Sequence, residues 1–160
     1  GSHVSAVPNH QTGRMTSIQA RGAVAMAGSF GYELDLNTLS EEEKQEVKEQ
    51  VKTYKRYQDL IYNGLYYRLC DPMEDNMSIW EFAARDGAQV LVQGVVYRAE
   101  PNALRRRIRL AGLAKEAQYQ VAGEENVYTG AALMAGGILL PEIKGDDAAV
   151  QIHLKRVSTL

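Results

Sequence analysis

The chain has 160 residues, 45% of them hydrophobic, which is enough to form the core of one ordinary domain. Lys and Arg total 18 against 20 Asp and Glu, so the formal net charge of −2 excludes the strongly basic surface of a nucleic-acid-binding protein. The single cysteine, Cys70, excludes an intrachain disulfide, and no apolar run reaches the roughly 18 residues of a membrane-spanning helix. We expect a globular, cytoplasmic protein without nucleic-acid or membrane partners.

The first 35 residues predict short elements. Residues 1–14 contain Pro8, Gly13 and two histidines with little periodicity, which predicts a loop. Small apolar residues from Thr16 to Met26 predict a short helix, and the segment from Phe30 to Asp35 predicts a short strand.

Ser40 begins the clearest element, a helix that we expect to end near Tyr62. Ser40-Glu41-Glu42-Glu43 is a capping box, in which the Ser40 hydroxyl accepts from the Glu43 backbone and the Glu43 carboxylate accepts from the Ser40 backbone. Asn63 and Gly64 predict a left-handed end to the helix. The predicted packing stripe lies at helical spacing and consists of Val47, Val51, Tyr54, Gln58 and Ile61.

After Gly64 the apolar period changes from 3.6 to 2, which predicts half-buried antiparallel strands. Asp86-Gly87 lies between two of these strands and predicts a two-residue hairpin turn. Short strands at this spacing favour a β-sandwich or barrel. The candidate strands are 65–70, 78–85, 88–98, 105–111, 117–122 and 148–157.

The helix–strand–helix segment before residue 63 has no partner layer of its own. Its apolar faces need another layer to cover them, so this segment resembles the end of a larger α/β domain. The whole chain is therefore predicted to be an α+β fragment with a boundary near residues 63–66.

Most clusters of reactive side chains favour structural roles. Adjacent carboxylates at Glu41–Glu43, Glu124-Glu125 and Asp146-Asp147 are expected to cap a helix or lie in solvated turns. Arg105–Arg107 are expected to form surface salt bridges together with Arg109.

No metal site and no cofactor are expected. The six residues between His3 and His10 match no zinc signature, and His153 is predicted on the polar face of a strand. Cys70 has no histidine near it in the sequence to activate it, so it is predicted to be a small buried side chain.

Two stretches near the start carry a resemblance to a known family. The run GSHVSAVPNHQTGR from Gly1 to Arg14, followed by GSFGYELD from Gly28 to Asp35, resembles the late part of the catalytic barrel in family 36 glycoside hydrolases of the α-galactosidase type. The resemblance continues through Tyr54–Tyr57 and the run VYTGAALM from Val127 to Met134, and so covers nearly the whole chain. A Gly, a small residue and a His precede Val-Ser in the family pattern, so Gly1-Ser2-His3 is interpreted as native sequence and not a tag remnant.

The resemblance implies a fold and an activity. Residues 1–63 would be the last β/α units of a (β/α)8 barrel, and residues 66–158 the antiparallel β-sandwich that follows it. The parent enzyme would hydrolyse terminal α-galactosides such as melibiose or raffinose-type sugars with retention, and would form a homo-oligomer. His3 and His10, in the loop that resembles the barrel rim, are the candidate substrate-binding residues.

The resemblance also predicts that this chain is inactive alone. The family uses a nucleophilic Asp in a Lys-Trp-Asp motif and an acid/base Asp near Cys-Ser-Gly-Gly, because retention requires two carboxylates on one glycosidic bond. Neither motif is present, since Trp80 is flanked by Ile79 and Glu81, and Cys70 is followed by Asp71-Pro72. We therefore predict no catalytic residue in this chain.

Two other functions remain open from the sequence. A non-catalytic sandwich could bind a carbohydrate or a protein through exposed tyrosines, and a related enzyme could transfer galactosyl groups between sugars. We expect the tyrosines to pack between sheets or against the barrel instead. The tyrosines considered are Tyr66, Tyr67, Tyr97, Tyr119 and Tyr128.

Overall fold

The fold is described from a computed structural model, for residues 2–5, 30–33, 35–70, 75–98, 105–142 and 148–157. Strand β1, Ser2–Ser5, pairs in parallel with β2, Phe30–Glu33. The strand prediction for β2 is confirmed. The loop prediction was wrong for residues 2–5, because these four residues form a strand through backbone pairing with β2. So short a segment cannot show an apolar period of 2 in the sequence. The helix predicted over 16–26 and the rest of 1–14 lie outside the described residues.

Helix α1 runs over Glu41–Asn63, after a 3-10 turn at Leu36–Thr38. The capping box is confirmed, because Ser40 Oγ accepts from the Glu43 N–H at 3.1 Å and Glu43 Oε1 accepts from the Ser40 N–H at 3.3 Å. The left-handed end was wrong, since Gly64 has φ −75° and ψ 169°, an extended conformation that leads directly into the next strand.

The buried face of α1 differs from the predicted stripe. Its buried residues are Gln50, Tyr54, Tyr57, Leu60 and Ile61. Gln58 is exposed, and Val47 and Val51 are only half-buried. The face is rotated because Tyr57 and Leu60 pack in one apolar cluster with residues of the sheet, namely Trp80, Phe82 and Leu91.

Eight further strands and one short helix follow α1 in the described residues. They are β3 Leu65–Cys70, β4 Met77–Ala83, β5 Gln89–Val96, β6 Arg107–Ile108, β7 Gln118–Val121, β8 Val127–Thr129, α2 Gly130–Ala135, β9 Ile138–Leu139 and β10 Ala148–Val157. The main sheet has six strands in the order β3-β4-β5-β10-β7-β8, all neighbouring pairs being antiparallel, and β6 and β9 form a separate antiparallel pair.

The β4–β5 hairpin is confirmed, but its turn is longer than predicted. Ala84 donates its N–H to the Gln89 carbonyl at 2.9 Å, which closes a connection formed by 84–88. Within it, Gly87 has φ 74° and Asp86 Oδ1 accepts from the Ala88 N–H at 2.9 Å. The side-chain bond from Asp86 stabilises a wider turn than the two-residue type.

The two faces of the main sheet bury separate apolar clusters. One face packs against α1. The other face packs against a second layer that contains β6, α2 and β9, with Ile108, Leu133 and Ile138 contributing to the larger cluster. This mostly antiparallel, layered arrangement confirms the predicted α+β fold.

Candidate functional site

The two candidate substrate-binding histidines lie at or beyond the limit of the described structure. His3 is in β1, where its backbone is in register with Gly31 of β2. His10 lies outside the described residues. A substrate-binding role for both residues therefore stays a prediction.

The acidic clusters have the structural roles that the sequence predicts where they are described. Glu43 completes the helix cap, and Glu41 forms an ion pair with Lys44 at 3.0 Å. Glu124 and Glu125 are exposed in the connection after β7, and Asp146-Asp147 lies outside the described residues. Among the described residues, no group of three or more His, Cys, Asp or Glu is placed to hold a metal ion.

Glu81 is an unusual residue that the sequence analysis does not single out. It lies in the middle of β4, is fully buried, and accepts a hydrogen bond at Oε1 from the Ala111 N–H at 3.0 Å. Within the described residues Oε2 has no hydrogen-bond partner. Burial raises the pKa of the Glu81 carboxyl from 4.5 to about 7, and the hydrogen bond from Ala111 opposes part of that rise.

Gln93 is the second buried polar group of the sheet, and it faces α1. Its Oε1 accepts from Trp80 Nε1 at 3.1 Å, while its Nε2 has no partner within the described residues. This bond satisfies the indole of the single tryptophan at the contact between helix and sheet. Trp80 is therefore a packing residue, as expected from the lack of a Lys-Trp-Asp motif.

His153 joins β10, β5 and α1. Its Nε2 lies 2.9 Å from Gln89 Oε1, and its ring meets the Tyr57 ring edge-on at a centroid distance of 4.8 Å. His153 lies on the strand face predicted to be polar, between the exposed Gln151 and Lys155, but α1 half-buries its imidazole. Burial, followed by the charges of Lys155 and Arg56, lowers the pKa of His153.

Arg106 confirms the predicted surface salt bridge, Arg105 bonds a backbone carbonyl instead, and Cys70 is buried as predicted. Arg106 Nη1 forms a salt bridge with Asp75 Oδ1 at 3.0 Å, and Arg105 Nε donates to the Leu140 carbonyl at 3.0 Å. Cys70 is buried in the larger apolar cluster. Burial raises the pKa of its thiol, Asp75 adds to the rise and Arg106 opposes it, which favours an unreactive thiol.

The tyrosines divide into buried and exposed groups. Tyr119 is fully buried, and its hydroxyl donates to the Gly87 carbonyl at 3.0 Å and accepts from the Ala114 N–H at 3.2 Å. Tyr67, Tyr97 and Tyr128 are half-buried. Tyr66 is 53% exposed and its ring centroid lies 5.5 Å from that of Phe82, so its packing against the barrel stays a prediction.

The surface of the described residues includes the following two clefts. One has a volume of about 530 Å³ and is lined by 114–118 together with Arg156 and Val157. The other has a volume of about 280 Å³ and lies between the end of α1 and the 84–89 turn. Glu81 lines neither cleft. The described helices include none that is long and apolar enough to cross a membrane.

Comparison with known families covers both halves of the chain. The melibiase family model matches residues 1–64, and the model of the glycosyl hydrolase family 36 C-terminal domain matches residues 77–154. The chain belongs to glycoside hydrolase family 36. It corresponds to the C-terminal part of the family, as the resemblance predicts.

Similar proteins agree with this assignment. The chain is 48% identical over 151 residues to the bifunctional α-galactosidase/sucrose kinase AgaSK of Mediterraneibacter gnavus. The matched region spans 94% of this chain and 16% of AgaSK. It is 45% identical over 157 residues to the α-galactosidase AgaA of Geobacillus stearothermophilus, spanning 98% of this chain and 21% of AgaA. A crystal structure of an AgaA variant in complex with raffinose has a TM-score of 0.92 at 44% identity, covering 98% of this chain and 22% of AgaA.

The chain thus spans about a fifth of the length of these family 36 relatives. Its likeness to them is nearly continuous, so the relation is to one region of a longer enzyme. Within the described residues the fully buried carboxylate is Glu81, which lies inside the sheet packing.

Proposed function

We propose that this chain is part of a retaining α-galactosidase that hydrolyses terminal α-galactosides, such as melibiose and raffinose-type sugars. The observation that carries the proposal is the likeness of both halves of the chain to α-galactosidases, one of which was crystallised with raffinose. Hydrolysis with retention requires two carboxylates about 5 Å apart, one as the nucleophile and one as the acid/base. The sequence contains neither of the family motifs that carry them, so the chain is non-catalytic by itself.

Within the enzyme, residues 1–63 supply the last β/α units of the barrel and residues 66–158 the C-terminal sandwich. The parallel pairing of β1 with β2 supports the first part of this division. The contact of Tyr57 and Leu60 with the sheet supports a structural role for the second part, since it fixes the helix against a rigid layer. The sandwich then holds the end of the barrel in place.

His3 and His10 are proposed to line the substrate pocket. Support comes from β1, which places His3 in a parallel strand, as barrel strands are, and from the general location of active sites at the carboxyl ends of such strands. We further propose a cytoplasmic location, supported by the single buried Cys70, and a homo-oligomer, to be tested by fractionation and by light scattering.

The substrate proposal is tested on the longest form of the protein that can be produced. It is incubated with melibiose and with raffinose, and free galactose and galactosyl-oligosaccharides are quantified separately. Hydrolysis predicts free galactose as the main product, with His3→Ala and His10→Ala raising KM. Oligosaccharides as the main product would instead identify a galactosyl transferase, and no product from either sugar would contradict the proposal.

A further inference from the structure

Glu81 lies where an ionised group is least tolerated. Its side chain lies on the face of the main sheet opposite α1, called here the inner face. Its direct neighbours on that face are Val92 of β5 and Tyr67 of β3. Ile79 and Ala83 lie two residues away on the same strand, and both belong to the larger apolar cluster. An ionised carboxylate in such surroundings loses its hydration and requires a cation or several donors to replace it.

The described structure supplies one donor and no cation. The Ala111 N–H donates to Oε1 at 3.0 Å, and no described residue forms a hydrogen bond with Oε2. The Ala111–Glu81 hydrogen bond holds one turn of the 109–117 connection against β4. A second contact, between Gly112 and Tyr67, holds the same turn against β3. A Cβ at Gly112 would come within 2.5 Å of the Tyr67 hydroxyl.

The groups that surround Glu81 do not neutralise a negative charge. The inner faces of β5 and β10 contribute apolar residues such as Val90, Val92, Val150, Ile152 and Leu154. Titratable side chains in the surrounding cluster are the phenols and thiol of Tyr67, Cys70, Tyr119 and Tyr128. The charged residues of the covering layer are exposed at Arg107, Arg109, Lys115 and Glu116, and Arg106 is paired with Asp75.

We propose that Glu81 attaches the 109–113 turn to the main sheet in a pH-dependent way. In its neutral form Glu81 holds the turn on the sheet, and its ionisation weakens that attachment. The neutral acid is compatible with apolar neighbours and still accepts from Ala111. The carboxylate leaves a charged oxygen without a donor, which favours opening of the turn toward water.

The direction of the pH dependence follows from the raised pKa of Glu81. The folded pKa of about 7 lies above the ordinary 4.5, so the folded state retains a proton that the opened state releases. The stabilisation is complete below pH 4.5 and is lost as the pH rises through 7. Between pH 5 and pH 8 the equilibrium should shift toward the open turn on the order of 50-fold.

Amide hydrogen exchange measures this opening at the turn itself. The longest producible form of the protein is followed at the Ala111 amide between pH 5 and pH 8, with rates corrected for intrinsic exchange. Protection should fall on the order of 50-fold in the unsubstituted protein and should change little in Glu81→Gln, which cannot ionise. Glu81→Leu serves as the second non-ionising variant if glutamine does not allow folding.

His153→Gln is the matched control, because it removes a second titratable side chain of the main sheet, the half-buried His153. Its lowered pKa predicts the opposite sign, a loss of stability as the pH falls, so this variant should retain the fall in protection at high pH. Constant protection in the unsubstituted protein would overturn the proposal. An equal fall in a Glu81 variant would also overturn it. Neither outcome depends on whether the protein hydrolyses galactosides.

Discussion

At the scale of single residues, Gly64 is required for space and not for backbone freedom. Its φ and ψ of −75° and 169° are available to any residue. A Cβ at this position would lie 2.4 Å from the Leu60 carbonyl oxygen and 3.0 Å from that of Ala83. Glycine is therefore needed where the end of α1 approaches the end of β4.

Gly64→Ala should lower the free energy of unfolding by about 2 kcal/mol, because two backbone oxygens must move to admit the methyl group. Gly136→Ala is the control, since its Cβ would lie 3.4 Å from the Ala132 oxygen and its φ is −102°. That variant should be neutral or slightly stabilising, by up to about 1 kcal/mol. Denaturant unfolding followed by circular dichroism measures both, and equal effects would show that close approach at Gly64 is not the reason for glycine.

Residue patterns predicted the cap of α1 but missed the buried Glu81, each for a physical reason. The capping box of Ser40 and Glu43 was predicted correctly because it depends only on residues within one helical turn. Glu81 was not singled out, since β4 is buried on both faces and alternation between apolar and polar residues disappears there. The only signal was an acidic residue between Trp80 and Phe82 in an otherwise apolar strand.

At the scale of elements, α1 is held mainly by the face that meets β4 and β5. Leu60 is 4% exposed and belongs to the cluster that contains Tyr57, Trp80 and Leu91. Gln58, two residues before it, points to solvent. The helix therefore depends on the sheet for the burial of its apolar side chains.

Leu60→Ala should destabilise the fold by roughly 2 to 5 kcal/mol, because the lost methyl groups leave a cavity between the helix and the sheet. Gln58→Ala on the same helix should change stability by no more than about 0.5 kcal/mol. Thermal unfolding monitored by tryptophan fluorescence is the appropriate probe, since Trp80 lies in this contact. Similar melting temperatures for the two variants would contradict the packing described for α1.

Elements with a regular apolar period could be predicted from the sequence, whereas several short ones could not. α1, β3 and β10 repeat their apolar period over several residues, and their positions agree with the predictions. The predicted packing face of α1 was right at Tyr54 and Ile61 and wrong at Gln58, because only the positions of Trp80 and Leu91 decide the rotation. β8, α2 and β9 have six residues or fewer and were missed, because their ladder and capping contacts come from distant segments.

At the scale of the whole molecule, the chain corresponds to one region of the longer family 36 proteins. A six-stranded sheet carries a helix on one face and a second β layer on the other, and the family relation covers about a fifth of each relative. Within the described residues, Glu43 caps α1, Glu41 and Asp75 form ion pairs, and Glu81 is buried in the sheet. Because the sequence carries neither of the carboxylate motifs expected of the family, we propose that the catalytic carboxylates lie outside this chain.

Hydrolysis of a chromogenic α-galactoside tests whether the catalytic carboxylates lie outside this chain. The 160-residue chain and the longest producible form of the protein are compared at matched concentration, after circular dichroism has established that both are folded. We expect release of the chromophore by the longer form alone, because the proposed function requires that form to carry the Lys-Trp-Asp nucleophile and the acid/base carboxylate. Turnover by the 160-residue chain itself would contradict this proposal, since the catalytic groups would then lie within these 160 residues.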